Sequence, residues 1–246
     1  MIQAEHICKY YTNHNHMVRA VDDVSFAIAE HERVGIAGGS GSGKSTLLRL
    51  MAMLEKTTSG TLRLFGEDIS QIQNHTEIYC SLQMMFQNPL AVIPPRMNLE
   101  DFLLEPYINY GLKDMAEAKE DIRKWIRHVD LPETIIQKYP HEVSGGQLQR
   151  VVLARIMLMK PKLVLFDEPT SALDAVNQKL VLDLLQKLHK EQPFGYVFVS
   201  HDIGLLQAVT DRILVMKDGQ IVENIESIRL KEAVHPYTRA LVEASV

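Results

Sequence analysis

A glycine-rich segment near residue 40 holds residue types that bind phosphate. The segment runs Gly38, Gly39, Ser40, Gly41, Ser42, Gly43, Lys44, Ser45, Thr46. It follows an apolar stretch that ends at Ala37 and precedes a helical apolar pattern over residues 47–54. Glycines let backbone N–H groups converge on phosphate oxygens, and a helix N-terminus adds positive potential. Lys44 can reach the β- and γ-phosphates and the Ser45 hydroxyl can bind Mg²⁺. In this strand, loop and helix context we predict a nucleotide-binding phosphate loop rather than a flexible linker.

Two adjacent carboxylates form a second candidate group. Asp167 and Glu168 directly follow the apolar residues 163–166. A continuous apolar run of this kind is typical of a strand buried on both faces, and open α/β sheets bind ligands beyond the carboxyl ends of their strands. We therefore predict that Asp167 holds Mg²⁺ and that Glu168 polarises the attacking water as a general base.

A third segment places two glycines at the start of a predicted helix, in the order Val143, Ser144, Gly145, Gly146, Gln147. Glycine inside a helix costs about 1 kcal/mol relative to alanine. A helix N-terminus that faces a phosphate explains this cost. An ordinary glycine turn is the alternative.

Strand and helix patterns alternate around these segments. Strands are predicted at 24–29, 33–37, 61–65, 163–166, 196–199 and 212–216, and helices at 44–53, 177–191 and 203–209. The middle of the chain looks all-helical, with helices at 99–107, 115–129 and 146–159. This order predicts an α/β fold with a parallel sheet and crossover helices. We expect a single domain, with an α/β core at 1–87 and 160–246 and an inserted helical subdomain at about 88–159.

Composition limits the possible partners and locations. The 246 residues carry a formal net charge of -5 and are 46% hydrophobic, which indicates a packed domain and argues against nucleic acid as a partner. Two distant cysteines, Cys8 and Cys80, favour a reducing compartment. We see no signal peptide and no apolar run of about 18 residues. We expect another chain to cross the membrane if the protein serves one.

The chain resembles the ATP-binding subunits of ABC transporters, whose motifs it carries in order over nearly its whole length. The resemblance implies a P-loop NTPase (RecA-like) core with a mainly parallel sheet, an N-terminal antiparallel β subdomain and an inserted α-helical subdomain. Tyr11 matches the aromatic residue that stacks on adenine, with Tyr10 as the alternative. Gln87 matches the glutamine that senses Mg²⁺ and contacts the membrane subunit. His201 matches the histidine that contacts the γ-phosphate.

The same resemblance implies a head-to-tail dimer with two composite ATP sites. Each ATP would be bound by the phosphate loop of one chain and covered by the signature segment of the other, with Val143 in place of the usual leucine. Five residues are expected to reach the partner's ATP: Ser144, Gly145, Gly146, Gln147 and Asp174. Asp174 ends the segment Ser171, Ala172, Leu173, Asp174, which matches the loop that crosses to the partner. Catalysis is assigned to Glu168, His201, Lys44 and Gln87, and Mg²⁺ binding to Ser45, Gln87 and Asp167.

Residues 94–97, 139–142 and 235–238 are similar to those of the peptide/nickel importer group. This implies a second, different ABC ATPase subunit, two membrane permeases and an extracytoplasmic binding protein, with the chain peripheral at the cytoplasmic face of the membrane. Peptides and nickel or metal-chelate complexes both stay open as cargo. The short, cysteine-free end leads us to expect no iron–sulfur centre and favours the nickel or metallophore branch. The alternatives are an exporter or lipoprotein-release ATPase, a non-transport ABC ATPase of DNA repair or the ribosome, and a small-molecule kinase.

Overall fold

The structure is a computed structural model that describes residues 1–13, 16–72, 75–88, 91–171 and 173–245. It divides into two compact units. Unit 1 comprises Met1–His75, Leu165–Glu168 and Phe194–Val246, and unit 2 comprises Thr76–Val164 and Pro169–Pro193. The predicted boundaries of the helical subdomain, about 88–159, stay a prediction. Ala172 lies outside the described residues.

A four-stranded sheet begins unit 1. Its order is β2-β1-β4-β5, with β1 at Ile2–Asn13, β2 at His16–Ile28, β4 at Ser59–Leu64 and β5 at Glu67–Asp68. All three strand pairs are antiparallel. Register shifts interrupt β1 between Ala4 and Tyr10, which bends the strand and increases its twist.

The second sheet has six strands in the order β10-β9-β3-β8-β7-β6. They are β3 at Arg33–Ala37, β6 at Leu82–Met85, β7 at Leu163–Asp167, β8 at Gly195–Val199, β9 at Arg212–Lys217 and β10 at Gln220–Glu226. Strand β3 runs parallel to both β8 and β9, whereas β9 and β10 form an antiparallel hairpin. These pairs, together with the helices below, confirm the predicted α/β fold with a mainly parallel sheet.

Every residue of β7 and β8 is buried, as expected for strands covered on both faces. Aromatic rings fill part of this core: the Phe166 ring centroid lies 5.6 Å from that of Phe198 and 5.9 Å from that of Tyr196. Close packing of this kind fixes the ends of the strands, and the candidate site residues of unit 1 follow those ends.

The helices of unit 1 are α1 at Lys44–Met51, α7 at Ile203–Val209 and α8 at Pro236–Glu243. Helix α2 spans His75–Ser81. Unit 2 contains α3 at Leu99–Tyr110, α4 at Met115–His128, α5 at Gly145–Leu158 and α6 at Ala175–Glu191. Short 3-10 helices lie at Glu133–Gln137, Pro140–Glu142 and Ser227–Glu232. In the described part of the chain, none of the helices is both long and apolar enough to span a bilayer.

Candidate functional site

The predicted phosphate loop connects β3 to α1. Gly38 and Gly43 have φ angles of 152° and 104°, values that disfavour any residue with a Cβ. A Cβ would also lie 2.3 Å from the Met216 carbonyl oxygen at Gly38 and 2.1 Å from the Ala20 carbonyl oxygen at Gly43. Neighbouring backbone therefore approaches the loop so closely that only glycine fits at these two positions.

Lys44 turns back onto its own loop. Its Nζ donates hydrogen bonds to the Gly38 and Gly39 carbonyl oxygens, both at 2.8 Å. Burial lowers the pKa of Lys44, although the nearby carboxylates of Asp167 and Glu168 act in the opposite direction. The ammonium group is therefore held at the loop beside negative charge, where a phosphate group could replace its carbonyl partners.

Ser45 and Asp167 form a hydroxyl–carboxylate pair. The Ser45 Oγ donates to Asp167 Oδ1 at 3.1 Å. Burial raises the pKa of Asp167 and the charge of Glu168 raises it further, although the bond from Ser45 opposes both. Two neighbouring oxygen ligands with excess negative charge suit Mg²⁺, which takes one or two protein ligands and completes its shell with phosphate and water. The site therefore fits a Mg²⁺ ion that arrives with a nucleotide.

Glu168 directly follows β7 and has a strained backbone conformation. Its φ is 45°, in the left-handed region, and a non-glycine residue there is uncommon and often functional. Its N–H donates to the Val199 carbonyl oxygen at 3.2 Å. His201, two residues after β8, is exposed, and its Nδ1 lies 3.6 Å from Glu168 Oε2. The structure thus brings together the predicted general base and the predicted γ-phosphate contact.

The two candidate adenine-stacking residues have different surroundings. The Tyr11 hydroxyl bonds to Glu55, and the Thr46 hydroxyl lies within reach of it. Lys9 Nζ lies 5.1 Å from the Tyr11 ring centroid. The Tyr10 hydroxyl instead donates to Asp22 Oδ1 at 2.5 Å. Of the two hydroxyl groups, that of Tyr11 lies beside Thr46 in the first turn of α1.

In unit 2, the predicted signature segment forms the start of α5. Ser144 is its N-cap: the Gln147 N–H donates to Ser144 Oγ at 3.3 Å, and the Ser144 N–H donates to Gln147 Oε1 at 3.0 Å. This reciprocal pair is a capping box. Ser144 and Gly145 are exposed, and a Cβ built on Gly145 meets nothing within 4 Å. The glycines are therefore inside the helix, not in an ordinary turn.

The start of α6 lies beside the start of α5. A Cβ on Gly146 would lie 2.9 Å from Asn177 Oδ1. Asp174 caps α6 by accepting a hydrogen bond from the Asn177 N–H at 2.9 Å, and this backbone bond, with a second from the Asn177 side chain, lowers the pKa of Asp174. Residues predicted from separate motifs to reach the partner's ATP are thus neighbours within unit 2.

Gln87 is exposed and its Nε2 donates to Ser171 Oγ at 3.3 Å. Its predicted roles in Mg²⁺ sensing and membrane-subunit contact stay predictions. One contact to the phosphate loop was missed by sequence reasoning: the Gly39 N–H donates to the Tyr237 hydroxyl at 2.7 Å. Residues 235–238 are similar to those of the peptide/nickel importer group, but their sequence gives no sign that they lie at the phosphate loop.

Comparison with known proteins identifies the class of this site. The family model "ABC transporter" matches residues 21–171. The di/tripeptide transport ATP-binding protein DppF of Pseudomonas aeruginosa is 39% identical over 93% of this chain and 72% of its own length. The oligopeptide transport ATP-binding protein AppF of Bacillus subtilis is 38% identical over 92% of this chain and 70% of its own.

A solved structure agrees with these relatives. The ATP-binding cassette MJ0796, in a dimeric post-hydrolysis state bound to ADP and Pi, superposes with a TM-score of 0.83 at 29% identity, covering 92% of this chain and 99% of that one. The chain therefore belongs to the ABC transporter family. It is an ATP-hydrolysing subunit of that family, as the phosphate loop and the acidic strand end predict.

Proposed function

We propose that this chain hydrolyses ATP to drive import of peptides through separate membrane permeases. Both relatives named above are ATP-binding proteins of peptide transport and match more than nine-tenths of this chain. This likeness is the observation that carries the proposal. Neither of these relatives is named for nickel or metal-chelate transport, so peptide is the preferred cargo.

ATP is proposed to bind at the phosphate loop and at Tyr11. The proposed contacts are Tyr11 for the adenine and, for the phosphates, Gly38, Gly39, Ser40, Gly41, Ser42, Gly43, Lys44, Ser45 and Thr46. Ser42 Oγ is buried, and among the described residues it has no hydrogen-bond partner, so a phosphate oxygen would satisfy it. Ser45, Asp167 and Gln87 are the proposed Mg²⁺ ligands, and bound Mg²⁺ would neutralise part of the charge on the β- and γ-phosphates.

Hydrolysis requires a base at the end of β7. Glu168 accepts a proton from water as the water oxygen attacks the γ-phosphorus, and the bond to the ADP oxygen breaks. Lys44 donates hydrogen bonds to the negative oxygens of the transferring group, and His201 contacts the γ-phosphate. Water is the nucleophile, and the products are ADP and phosphate.

The start of α5 is proposed to close the site of a second cassette. Ser144, Gly145, Gly146, Gln147 and Asp174 would face the partner's ATP, because a helix N-terminus favours negative charge. The partner is proposed to be a different ABC ATPase, related to this chain by a head-to-tail arrangement. The MJ0796 cassette, which is dimeric with ADP and Pi bound, supports a dimer. The proposed assembly also contains two permeases and an extracytoplasmic binding protein. This chain is proposed to lie at the cytoplasmic face of the membrane as a peripheral subunit.

Reconstitution tests the whole proposal. The complex that co-purifies with this chain would be placed in lipid vesicles, supplied with its binding protein, and given a labelled tripeptide or ⁶³Ni²⁺. We expect ATP-dependent movement of the tripeptide across the membrane. Movement of nickel alone would replace the cargo assignment, and co-purification with DNA-repair or ribosomal proteins in place of permeases would overturn the transport function.

A further inference from the structure

The C-terminal helix contacts the phosphate loop through a single hydroxyl group. The Tyr237 hydroxyl oxygen, near the start of α8, accepts a hydrogen bond from the Gly39 N–H at 2.7 Å, across 198 positions of sequence. A Cβ built on Gly39 would lie 3.1 Å from that oxygen and meets no other atom within 4 Å. The contact is therefore made to the loop itself, at a position where the hydroxyl is the nearest neighbour.

This hydrogen bond and one from Lys44 hold the same peptide group. The Gly38 carbonyl and the Gly39 N–H belong to one planar unit. Lys44 Nζ donates to the carbonyl at 2.8 Å, while Tyr237 accepts from the N–H at 2.7 Å. Because the unit is planar, a rotation that breaks one bond also breaks the other. Glycine on both sides would make such a rotation easy if Tyr237 did not oppose it.

Tyr237 is itself fixed by neighbours on the β9–β10 hairpin and at the start of α8. Lys217 Nζ lies 5.4 Å from the centre of the Tyr237 ring. The Tyr237 N–H donates a hydrogen bond to His235 Nδ1 at 3.2 Å. Glu223 accepts hydrogen bonds from the N–H groups of Val234 at 2.7 Å and His235 at 3.3 Å. The hydroxyl is thus held at the loop by contacts that involve no nucleotide.

We propose that Tyr237 is a positioning residue for nucleotide binding, acting through the Gly38–Gly39 peptide group and so on the place of the Lys44 ammonium. The proposal rests on the phosphate-binding role proposed above for this loop. It makes nucleotide affinity depend on the docking of α8 and adds a residue outside the family's motifs to the ATP site.

The first experiment removes only the hydroxyl. Titration calorimetry would measure Mg·ATP and Mg·ADP binding to the full chain and to Tyr237→Phe. We expect both dissociation constants to rise about fivefold, the effect of one net hydrogen bond, whatever the change in the thermal midpoint. In the assembled complex the KM for ATP should rise by the same factor while kcat stays the same.

Tyr196→Phe is the matched control. The Tyr196 hydroxyl donates to the Val209 carbonyl oxygen in the core of the same unit, so its loss should lower the thermal midpoint without changing nucleotide affinity. If Tyr237→Phe behaves like this control, Tyr237 is merely structural and the proposal is wrong.

A double-mutant cycle tests whether the contact is direct. Gly39→Ala places a Cβ against the Tyr237 hydroxyl and should weaken nucleotide binding on its own. In the Tyr237→Phe background that Cβ has no hydroxyl to displace, so the second substitution should add little further loss. Additive losses would overturn the proposed contact, since independent sites add.

Lys44→Ala separates this proposal from the function on which it depends. If Lys44→Ala loses nucleotide affinity and Tyr237→Phe does not, only the positioning role fails. If Lys44→Ala itself binds Mg·ATP as the unaltered chain does, the phosphate-binding role of the loop fails and the positioning role fails with it.

Discussion

The phosphate loop of unit 1 and the start of α5 in unit 2 are both glycine-rich helix N-termini, but their surroundings differ. In unit 1, Lys44 and Asp167 are both buried. Only glycine fits at Gly38 and Gly43, because neighbouring backbone lies within 2.3 Å of where a Cβ would be. In unit 2, Ser144 and Gly145 are exposed, and the Ser144 hydroxyl caps its own helix.

This difference indicates which of the two regions, the phosphate loop or the start of α5, can bind a nucleotide without a second chain. The loop of unit 1 supplies a cation, a hydroxyl and a carboxylate at one place, and the burial of these groups costs stability that a bound nucleotide would restore. The start of α5 has no cation in its first turn, and Gly145 is exposed there. We infer that the first region grips a nucleotide and that the second adds contacts only when another chain brings one.

The largest effect is expected at the end of β7. Glu168→Gln removes the base but keeps the shape of the side chain, so ATP should still bind. Hydrolysis in the assembled complex should fall about 10²- to 10⁴-fold, the usual contribution of a general base. Phosphate release measures it. Glu30→Gln, at an exposed carboxylate, is the control and should keep the full rate. If the Glu168→Gln complex hydrolyses ATP at an undiminished rate, the assignment of Glu168 in unit 1 as the general base is wrong.

Lys44→Ala should have the next largest effect. The variant loses a buried ammonium group that donates to the loop, and Mg·ATP affinity should fall about 10- to 100-fold, as for lost hydrogen bonds from a charged group. Calorimetry on the purified chain measures this fall. Lys231→Ala, at an exposed lysine, should bind as the unaltered chain does. If a substitution at the start of α5 lowers the Mg·ATP affinity of the single chain by a similar factor, the two regions do not differ as we infer.

Asp167→Asn should give a smaller change, in stability. The folded-state pKa of Asp167 is raised, so its ionised form at neutral pH destabilises the nucleotide-free fold. The neutral amide should raise the thermal midpoint at pH 7 by about 2–4 °C per kcal/mol recovered. The advantage should shrink as the pH falls through the raised pKa, because the natural carboxyl then binds a proton. Asp183→Asn, on the exposed face of α6, should show no such gain.

Much of the candidate site in unit 1 could be predicted because its reactive residues lie next to one another in the sequence. The glycine loop, the helix after it and the two carboxylates after an apolar run each carry a local pattern, and strand β3 has the predicted bounds, 33–37. Strand β1 was not predicted, since bulges between Ala4 and Tyr10 shift its register and break the alternation that marks a strand.

The Tyr237 contact could not have been predicted for a different reason. Its partner, Gly39, lies 198 positions away in sequence, and no spacing rule joins the two. The contact arises from the β9–β10 hairpin and the start of α8, which depend on tertiary packing. Local patterns predicted which residues could bind phosphate but not what holds them in place.

The central claim, that α5 of one chain completes the ATP site of another, is tested most directly by Gly145→Asp in the Glu168→Gln background. Light scattering would follow ATP-dependent association with the partner cassette, and calorimetry would follow ATP binding to the chain alone. Ala116→Asp, which adds the same charge in the exposed first turn of α4, is the matched control.

An acidic residue in the first turn of a helix is favourable, and a Cβ at Gly145 has open space, so the fold should persist. We predict that Gly145→Asp leaves ATP binding to the single chain unchanged and abolishes association with the partner, because its carboxylate would face the partner's γ-phosphate. Undiminished association, or weaker ATP binding by the single chain, would contradict the account.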